Sequence, residues 1–153
     1  MHRTRALAFA IILTLVAAVF VAVLRRPAFA ECSGTARCFA DDVVRVIDGD
    51  TIVVGTKTIR LVLVDTPERS EAGYEEAKDY VTNLCLNQHA IIDQDDLQYY
   101  DSYGRMLAVV YCNGVNVNAA LLENDLGKLY QQFCDESEFA FAEWATRAGC
   151  WKE

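Results

Sequence analysis

The sequence of 153 residues predicts an α+β fold: a five-stranded β-barrel with about three helices, preceded by an N-terminal hydrophobic helix. Three observations lead to it. A long apolar run opens the chain, three β-rich segments separated by tight-turn signals follow, and helical spacing then alternates with two further β-rich segments.

Taken in order, residues 1–5 are basic, and Ala6 to Leu24 is apolar apart from Thr14. As a helix that run would extend about 28 Å, close to the thickness of a hydrocarbon core. Arg25 and Arg26 then precede Ala28-Phe29-Ala30, a small-x-small sequence of the kind a signal peptidase cuts. Residues 1–30 therefore read either as a cleaved signal peptide or as a transmembrane anchor through residues 6–24. Both readings place the remainder outside the cytoplasm, secreted or membrane-anchored. Residues 31–42 form a lead-in with a pair of cysteines, and residues 43–153 form one domain.

In that domain Val43 to Ile47 is a β-branched run, Asp48-Gly49 is a hairpin turn, and Thr51 to Val54 is the return strand. A second turn at Gly55 to Lys57 leads into a third strand, Thr58 to Val64, stopped by Thr66-Pro67. Tyr74, Ala77, Tyr80, Val81, Leu84 and Cys85 then recur at helical steps. His89 to Asp93 and Arg105 to Tyr111 supply two more strands, the second ending at the Asn113-Gly114 turn. A short helix is expected over Asn118 to Asn124. A last helix is expected from Asp135, capped by Asp135 and Glu138, with Phe141, Ala142, Ala145 and Ala148 inward and its end at Gly149. A three-strand meander, a helix, two strands and further helices match the oligonucleotide/oligosaccharide-binding barrel.

All six cysteines lie beyond the leader, and an even count behind an export segment reads as a disulfide framework. Closeness in sequence pairs Cys32 with Cys38 and Cys134 with Cys150, leaving Cys85 with Cys112; a buried free thiol at Cys85 is the alternative. A zinc site is not expected, because no Cys-x-x-Cys occurs and His2 and His89 stand alone. The net charge is −8, and four of the 14 basic residues fall within residues 1–30, so the exported part carries ten against 22 acids, a net −12. Binding to a polyanion must then rest on local arginines and a cation rather than on a basic surface.

The charged residues of the meander are the functional signal. Asp50 follows the first turn and Asp65 ends the third strand, and a meander can bring those ends together. Two carboxylates and a carbonyl are hard oxygen donors suited to Ca2+ or Mg2+. Arg60, in an otherwise apolar strand, needs a partner: a structural ion pair, or a phosphate held bidentately. Strict strand alternation places Arg60 and Asp65 on opposite faces, so their convergence requires a bend. Glu68 could position or deprotonate water, and Arg105 adds a second guanidinium after Tyr103-Gly104.

From Val43 to Trp151 the chain resembles the staphylococcal nuclease family. The stretches that carry the likeness are VIDGDTIVV, IRLVLVDTPE, DSYGRMLAVVY, GVNVNAALLENDLGK and SEFAFAEWATRAGCW, in the family's order. The resemblance implies a calcium-dependent endonuclease that hydrolyses phosphodiester bonds of single-stranded or locally open DNA and RNA and leaves 3′-phosphate ends, acting as a monomer. By the motif match, Asp50, Asp65 and the Thr66 carbonyl hold Ca2+, with Asp48 behind them. Arg60 and Arg105 bind the scissile phosphate, and Glu68 acts on the water. Tyr103 contacts a phosphate or nucleotide, and Tyr130 contributes to substrate binding. The chain departs from the family after LGK, where Tyr130 is displaced by one position and Gln131 and Phe133 occupy the places of the base-contacting tyrosines. The alternative reading is a catalytically inactive barrel that binds nucleic acid or protein; retention of the acids and both arginines argues against it.

Overall fold

The computed structural model describes residues 32–151. The predicted signal peptide or anchor within residues 1–30 lies outside the described residues, and among those described no helix is long and apolar enough to cross a membrane. The elements are β1 (Cys38–Val46), β2 (Thr51–Val54), β3 (Lys57–Leu61), β4 (Val64–Asp65), α1 (Tyr74–Cys85), β5 (His89–Gln94), β6 (Met106–Cys112), β7 (Val115–Asn116), α2 (Val117–Glu123), β8 (Lys128–Leu129), two 3-10 turns (Gln131–Glu136 and Glu138–Phe141) and α3 (Glu143–Ala148).

Five strands close into a barrel. Their order is β3-β2-β1-β5-β6, with β7 extending β6, and a parallel pairing of β3 with β6 joins the two edges. Closure removes the unpaired strand edges that an open sheet would expose. β1 is long enough to serve two partners. Its first half pairs with β5 from Cys38↔Asp93 to Asp42↔His89, and its second half pairs with β2. The register shifts between Val43 and Arg45, so an irregularity bends the strand between its two roles. The strand thus reaches five residues into the predicted lead-in.

Alternation along these strands sends Val43, Ile52, Val54, Ile59, Leu61, Ile92, Ala108 and Val110 into one apolar core, closed by Val81 and Cys85 of α1 and Val117 and Leu121 of α2. A second cluster joins Val62, Leu63, Leu107 and Val109 to Cys134, Phe139, Ala140, Ala145 and Cys150 of the C-terminal segment. The three disulfides pair Cys32–Cys38, Cys85–Cys112 and Cys134–Cys150, and among the described residues no cysteine is free. The second lies in the core between α1 and β6. The first closes the segment before β1, which is also held to the barrel by carboxylates. The Asp93 carboxylate accepts from the Ser33 N–H at 2.8 Å, and Asp96 accepts from the Thr35 N–H at 2.7 Å.

Two expectations about the chain's path fail. The third strand does not run through to Val64; it stops at Leu61, and Val62-Leu63 form a turn in which Leu63 has φ 61°. Nor does a helix start at Asp135. Ser137 adopts an extended backbone, its buried hydroxyl donates to Asp95 Oδ2 at 2.5 Å, and it accepts from the Phe139 N–H at 3.2 Å. That anchorage breaks the predicted helix into 3-10 turns and delays α3 to Glu143. Phe141, expected inward, is 76% exposed and stacks on Trp151, and Ala148 is exposed too.

One buried side chain ties three elements together. Asn118, wholly buried at the start of α2, accepts from the Val110 N–H at 3.1 Å and donates to the carbonyls of Val62 at 2.9 Å and Ala108 at 3.3 Å. Asn118→Ala takes this partner from the Val110 N–H and the Val62 carbonyl in the interior, while the Ala108 carbonyl still accepts from the Val62 N–H at 2.9 Å. Urea unfolding should show about 3 kcal/mol lost; a loss below about 1 kcal/mol would mean that water or repacking replaces these bonds.

Candidate functional site

The turn after β3 builds the site. Without it, alternation would turn Asp65 away from Arg60; the two turn residues reset the alternation, and β4 pairs antiparallel with β8. Arg60 itself stitches the turn. It is 8% exposed, and its Nη1 donates to the carbonyls of Leu61 at 2.9 Å and Val64 at 2.5 Å. Its Nη2 lies 3.2 Å from Asp50 Oδ2 and 3.5 Å from Asp65 Oδ1. The sequence left two partners for this buried cation, an acid or a phosphate; here two acids converge on one guanidinium nitrogen.

Asp50 is held from the opposite side. Its Oδ2 accepts from the Thr66 N–H at 2.8 Å and the Thr66 hydroxyl at 3.0 Å, and its Oδ1 accepts from the Thr51 hydroxyl at 3.1 Å. The clasp needs a close approach of the Asp48-Gly49-Asp50 turn to Thr66 and α1. A Cβ on Gly49 would stand 2.8 Å from both the Thr66 hydroxyl and the Ala77 methyl. Gly49 has no positive φ, so space rather than turn conformation demands glycine here. Gly127 plays the same part under β4, where a Cβ would lie 3.2 Å from the Asp65 carbonyl.

Arg105 enters from the loop before β6. Asp101 Oδ1 accepts from the N–H groups of Tyr103 and Arg105, both at 2.9 Å, and its Oδ2 receives the Arg105 Nε at 2.6 Å. One carboxylate therefore shapes the turn and aims the guanidinium. Burial would raise the Asp101 carboxyl, but the Arg105 N–H and side chain and the Tyr103 N–H hold it below its ordinary value. Arg105 Nη1 then donates to the Thr51 hydroxyl at 3.2 Å, the same hydroxyl that donates to Asp50. A single threonine thus links the second arginine to the first carboxylate. The Arg105 guanidinium lies 5.3 Å from the centre of the Tyr103 ring, which is 84% exposed at the rim.

A cleft of about 440 Å³ collects these groups. Asp48, Asp50, Arg60, Asp65, Glu68, Tyr103, Arg105 and Tyr130 all line it, together with Gln98, Asp101 and Phe133. Of the predicted site residues, Thr66 is not on the lining; it sits buried behind Asp50, to which it presents its N–H and hydroxyl. The Glu68 carboxylate takes no hydrogen bond or ion pair among the described residues, and its backbone is fixed by the Glu71 carboxylate, which accepts its N–H at 2.8 Å. Asp48 accepts from the Asp50 N–H at 3.2 Å. Burial and the neighbouring Asp50 charge raise the Asp48 carboxyl above its ordinary value. Burial, opposed by Arg60 and assisted by the charges of Asp50 and Glu71, raises that of Asp65. Among the described residues no three His, Cys, Asp or Glu side chains stand together in metal-holding geometry. Sequence reasoning misses Asp101 and Thr51, although Asp at the head of an Asp-Ser-Tyr-Gly turn is a legible signal.

Gly49→Ala tests the clasp, because the added methyl must push Thr66 or α1 away. The expected cost is about 2 kcal/mol in chemical denaturation; a neutral outcome would show that the turn has room to move.

The family described as staphylococcal nuclease homologue matches residues 58–151. The chain is 34% identical over 128 residues to Protein ParB of Escherichia coli, covering 75% of this chain and 67% of that protein. It is 28% identical over 156 residues to the micrococcal nuclease of Shigella flexneri, covering 90% of this chain and 84% of that one. It is also 28% identical over 119 residues to an uncharacterized endonuclease of Haemophilus influenzae, covering 72% and 65% respectively. A family match spanning β3 to Trp151, on a closed five-stranded barrel, means that this chain belongs to the staphylococcal nuclease family.

Proposed function

We propose that the protein is a calcium-dependent endonuclease, secreted or membrane-anchored, that hydrolyses phosphodiester bonds of single-stranded or locally open DNA and RNA and leaves 3′-phosphate ends. One observation carries the reading. Arg60 with its two carboxylates and Arg105 with Thr51 line one open cleft, where a phosphodiester can meet both guanidinium groups and the acids together. The names given to the relatives from Shigella flexneri and Haemophilus influenzae, a micrococcal nuclease and an endonuclease, support the same chemistry. The apolar run and the small-x-small sequence in residues 1–30 support export.

The donor set fits a hard divalent cation. The carboxylates of Asp50 and Asp65 converge on one Arg60 nitrogen at the cleft, which Asp48 also lines, and all are hard oxygen donors. Asp50 and Asp65, with the Thr66 carbonyl, are the residues that would hold Ca2+, and Asp48 would add negative charge behind them. When bound, the ion would polarise a phosphate oxygen and offset developing charge.

The chain's own residues do the rest. The terminal N–H groups of Arg60 are directed at protein acceptors, and its 3.5 Å contact to Asp65 is the weakest of them. A phosphate oxygen entering there replaces that contact, so the guanidinium is aimed before substrate arrives. Arg105 supplies the second grip, held in direction by Asp101. Attack on phosphorus concentrates negative charge on the equatorial oxygens, and these preorganised cations answer it. Glu68, on the cleft with its carboxylate unengaged, orients or deprotonates the attacking water. Tyr103 at the rim contacts a phosphate or nucleotide, and Tyr130, also on the lining, contributes to substrate binding.

Incubation with single-stranded DNA tests the reading directly: fragments should appear with calcium and not with chelator. Arg60→Ala and Arg105→Ala should each lower the rate by about two to three decades, as loss of one such donor typically does, and Glu68→Gln should nearly abolish cutting. Equal cutting in chelator would sink the metal assignment. Asp101→Asn keeps the size of the side chain but removes its charge. Its expected cost is about ten- to a hundredfold in rate, through misdirection of Arg105; if the Arg105→Ala background already contains that loss, the two effects should not add.

A further inference from the structure

One wall of the cleft is not built by the barrel. The acids and arginines come from barrel strands and the turns between them, whereas Phe133 lies in the 3-10 turn Gln131–Glu136 and Tyr130 is its cap. A 3-10 run of that length is a weak element by itself, because its hydrogen bonds are poorly aligned. Tyr130 makes no side-chain cap bond. Its N–H donates to the Leu63 carbonyl at 2.9 Å, and the Phe133 N–H donates to the Tyr130 carbonyl at 3.0 Å. The two rings meet edge to face, with centroids 4.6 Å apart and planes at 87°. Cys134, the residue after Phe133, is bridged to Cys150 just beyond α3, and both are buried in the cluster that contains Val62 and Leu63.

We infer that the Cys134–Cys150 bridge is a positioning element for substrate binding: it holds Phe133 and Tyr130 as a rigid aromatic wall against which a nucleobase packs, and it takes no part in the chemical step. The inference rests on the nuclease reading for its substrate. Asp50, Arg60, Asp65 and Arg105 are tied to one another and to the barrel by bonds that do not pass through the bridge. Without the bridge those groups stay in place and Tyr130 keeps its bond to the Leu63 carbonyl, but the 3-10 turn that carries Phe133 loses its covalent tie and the pair of rings must be ordered anew at each binding event. That cost falls on association with substrate rather than on turnover.

The Cys32–Cys38 bridge supplies the control, since neither cysteine lines the cleft. The full chain, purified under oxidising conditions, is compared with Cys134→Ala/Cys150→Ala and Cys32→Ala/Cys38→Ala on a single-stranded oligonucleotide with calcium. The first variant should raise KM about tenfold, in the range expected for a lost base-stacking contact, with kcat within about twofold. The second should leave KM in place, whatever it does to the melting temperature. Hydrogen exchange at the Phe133 amide, which bonds within the 3-10 turn, should lose protection in the first variant alone. An unchanged KM in the folded variant, or retained protection at the Phe133 amide, overturns the inference, and so does a fall in kcat with KM unmoved. Should the double alanine variant unfold, Cys134→Val/Cys150→Ala refills the buried volume without a covalent link and carries the same comparison. A parent chain that cuts nothing removes the nuclease reading, and the exchange data then decide by themselves whether the bridge holds the wall.

Discussion

The buried guanidinium of Arg60 is the constraint around which the rest of the cleft is arranged. A cation at that depth is tolerated only when its charge and donors are matched. Here the matching is shared between two backbone carbonyls on either side of a turn and two carboxylates from different parts of the chain. The backbone half fixes the Val62-Leu63 turn, and with it the direction in which β4 leaves the barrel. The carboxylate half draws Asp50 and Asp65 to one nitrogen. Remove the cation and the clasp of Thr66 and Thr51 on Asp50 would remain, but the two like charges at the mouth of the barrel would lose the group that compensates them both. The same residue therefore answers a folding problem and defines the chemistry available in the cleft.

Most of the barrel is legible in the sequence because its signals are local. β-branched runs, an Asp-Gly turn, helical spacing through Tyr74, Ala77, Val81 and Cys85, and an Asn-Gly turn each specify one element, and closeness in sequence was enough to pair the cysteines. What escaped was set by contacts distant in sequence. Nothing between Ile59 and Val64 marks the break at Val62-Leu63, because the non-glycine residue with positive φ is stabilised by Arg60 and by Tyr130 bonding to the Leu63 carbonyl. The C-terminal segment has good helical spacing, yet Ser137 is claimed by Asp95, 42 residues earlier, and local propensity loses to that buried bond. Gly49 reads as a turn residue in the sequence, but the crowding that demands glycine comes from Thr66 and Ala77.

The site shows the same division. Side chains that carry unusual chemistry in an apolar stretch, Asp50, Arg60 and Asp65, stand out in sequence. Those that aim them are ordinary in composition and do not. Thr51 looks like any strand threonine, but its hydroxyl joins Asp50 to Arg105. Asp101 looks like any turn aspartate, but its two oxygens are divided between shaping a loop and fixing an arginine. The motif points to the Thr66 carbonyl, while the Thr66 N–H and hydroxyl are what clasp Asp50.

Residues 31–153 carry a net −12, unfavourable toward a polyanion, and the cleft offers a local answer. Charges separated by more than about 8–10 Å are largely screened in physiological salt, so the distant acids act on a substrate mainly during approach. Within the cleft the balance is different. Arg60 and Arg105 are each held by carboxylate partners at the cleft, Arg60 by Asp50 and Asp65 and Arg105 by Asp101, so two cations are already aimed where a phosphate would enter. Few cations touch the substrate on this reading, so few counterions are released on binding, and the salt dependence of affinity should be shallow beside that of a basic nucleic-acid binder. Affinity must then come from contacts that salt does not screen, and the aromatic wall of Tyr130 and Phe133 is the surface in the cleft able to supply them.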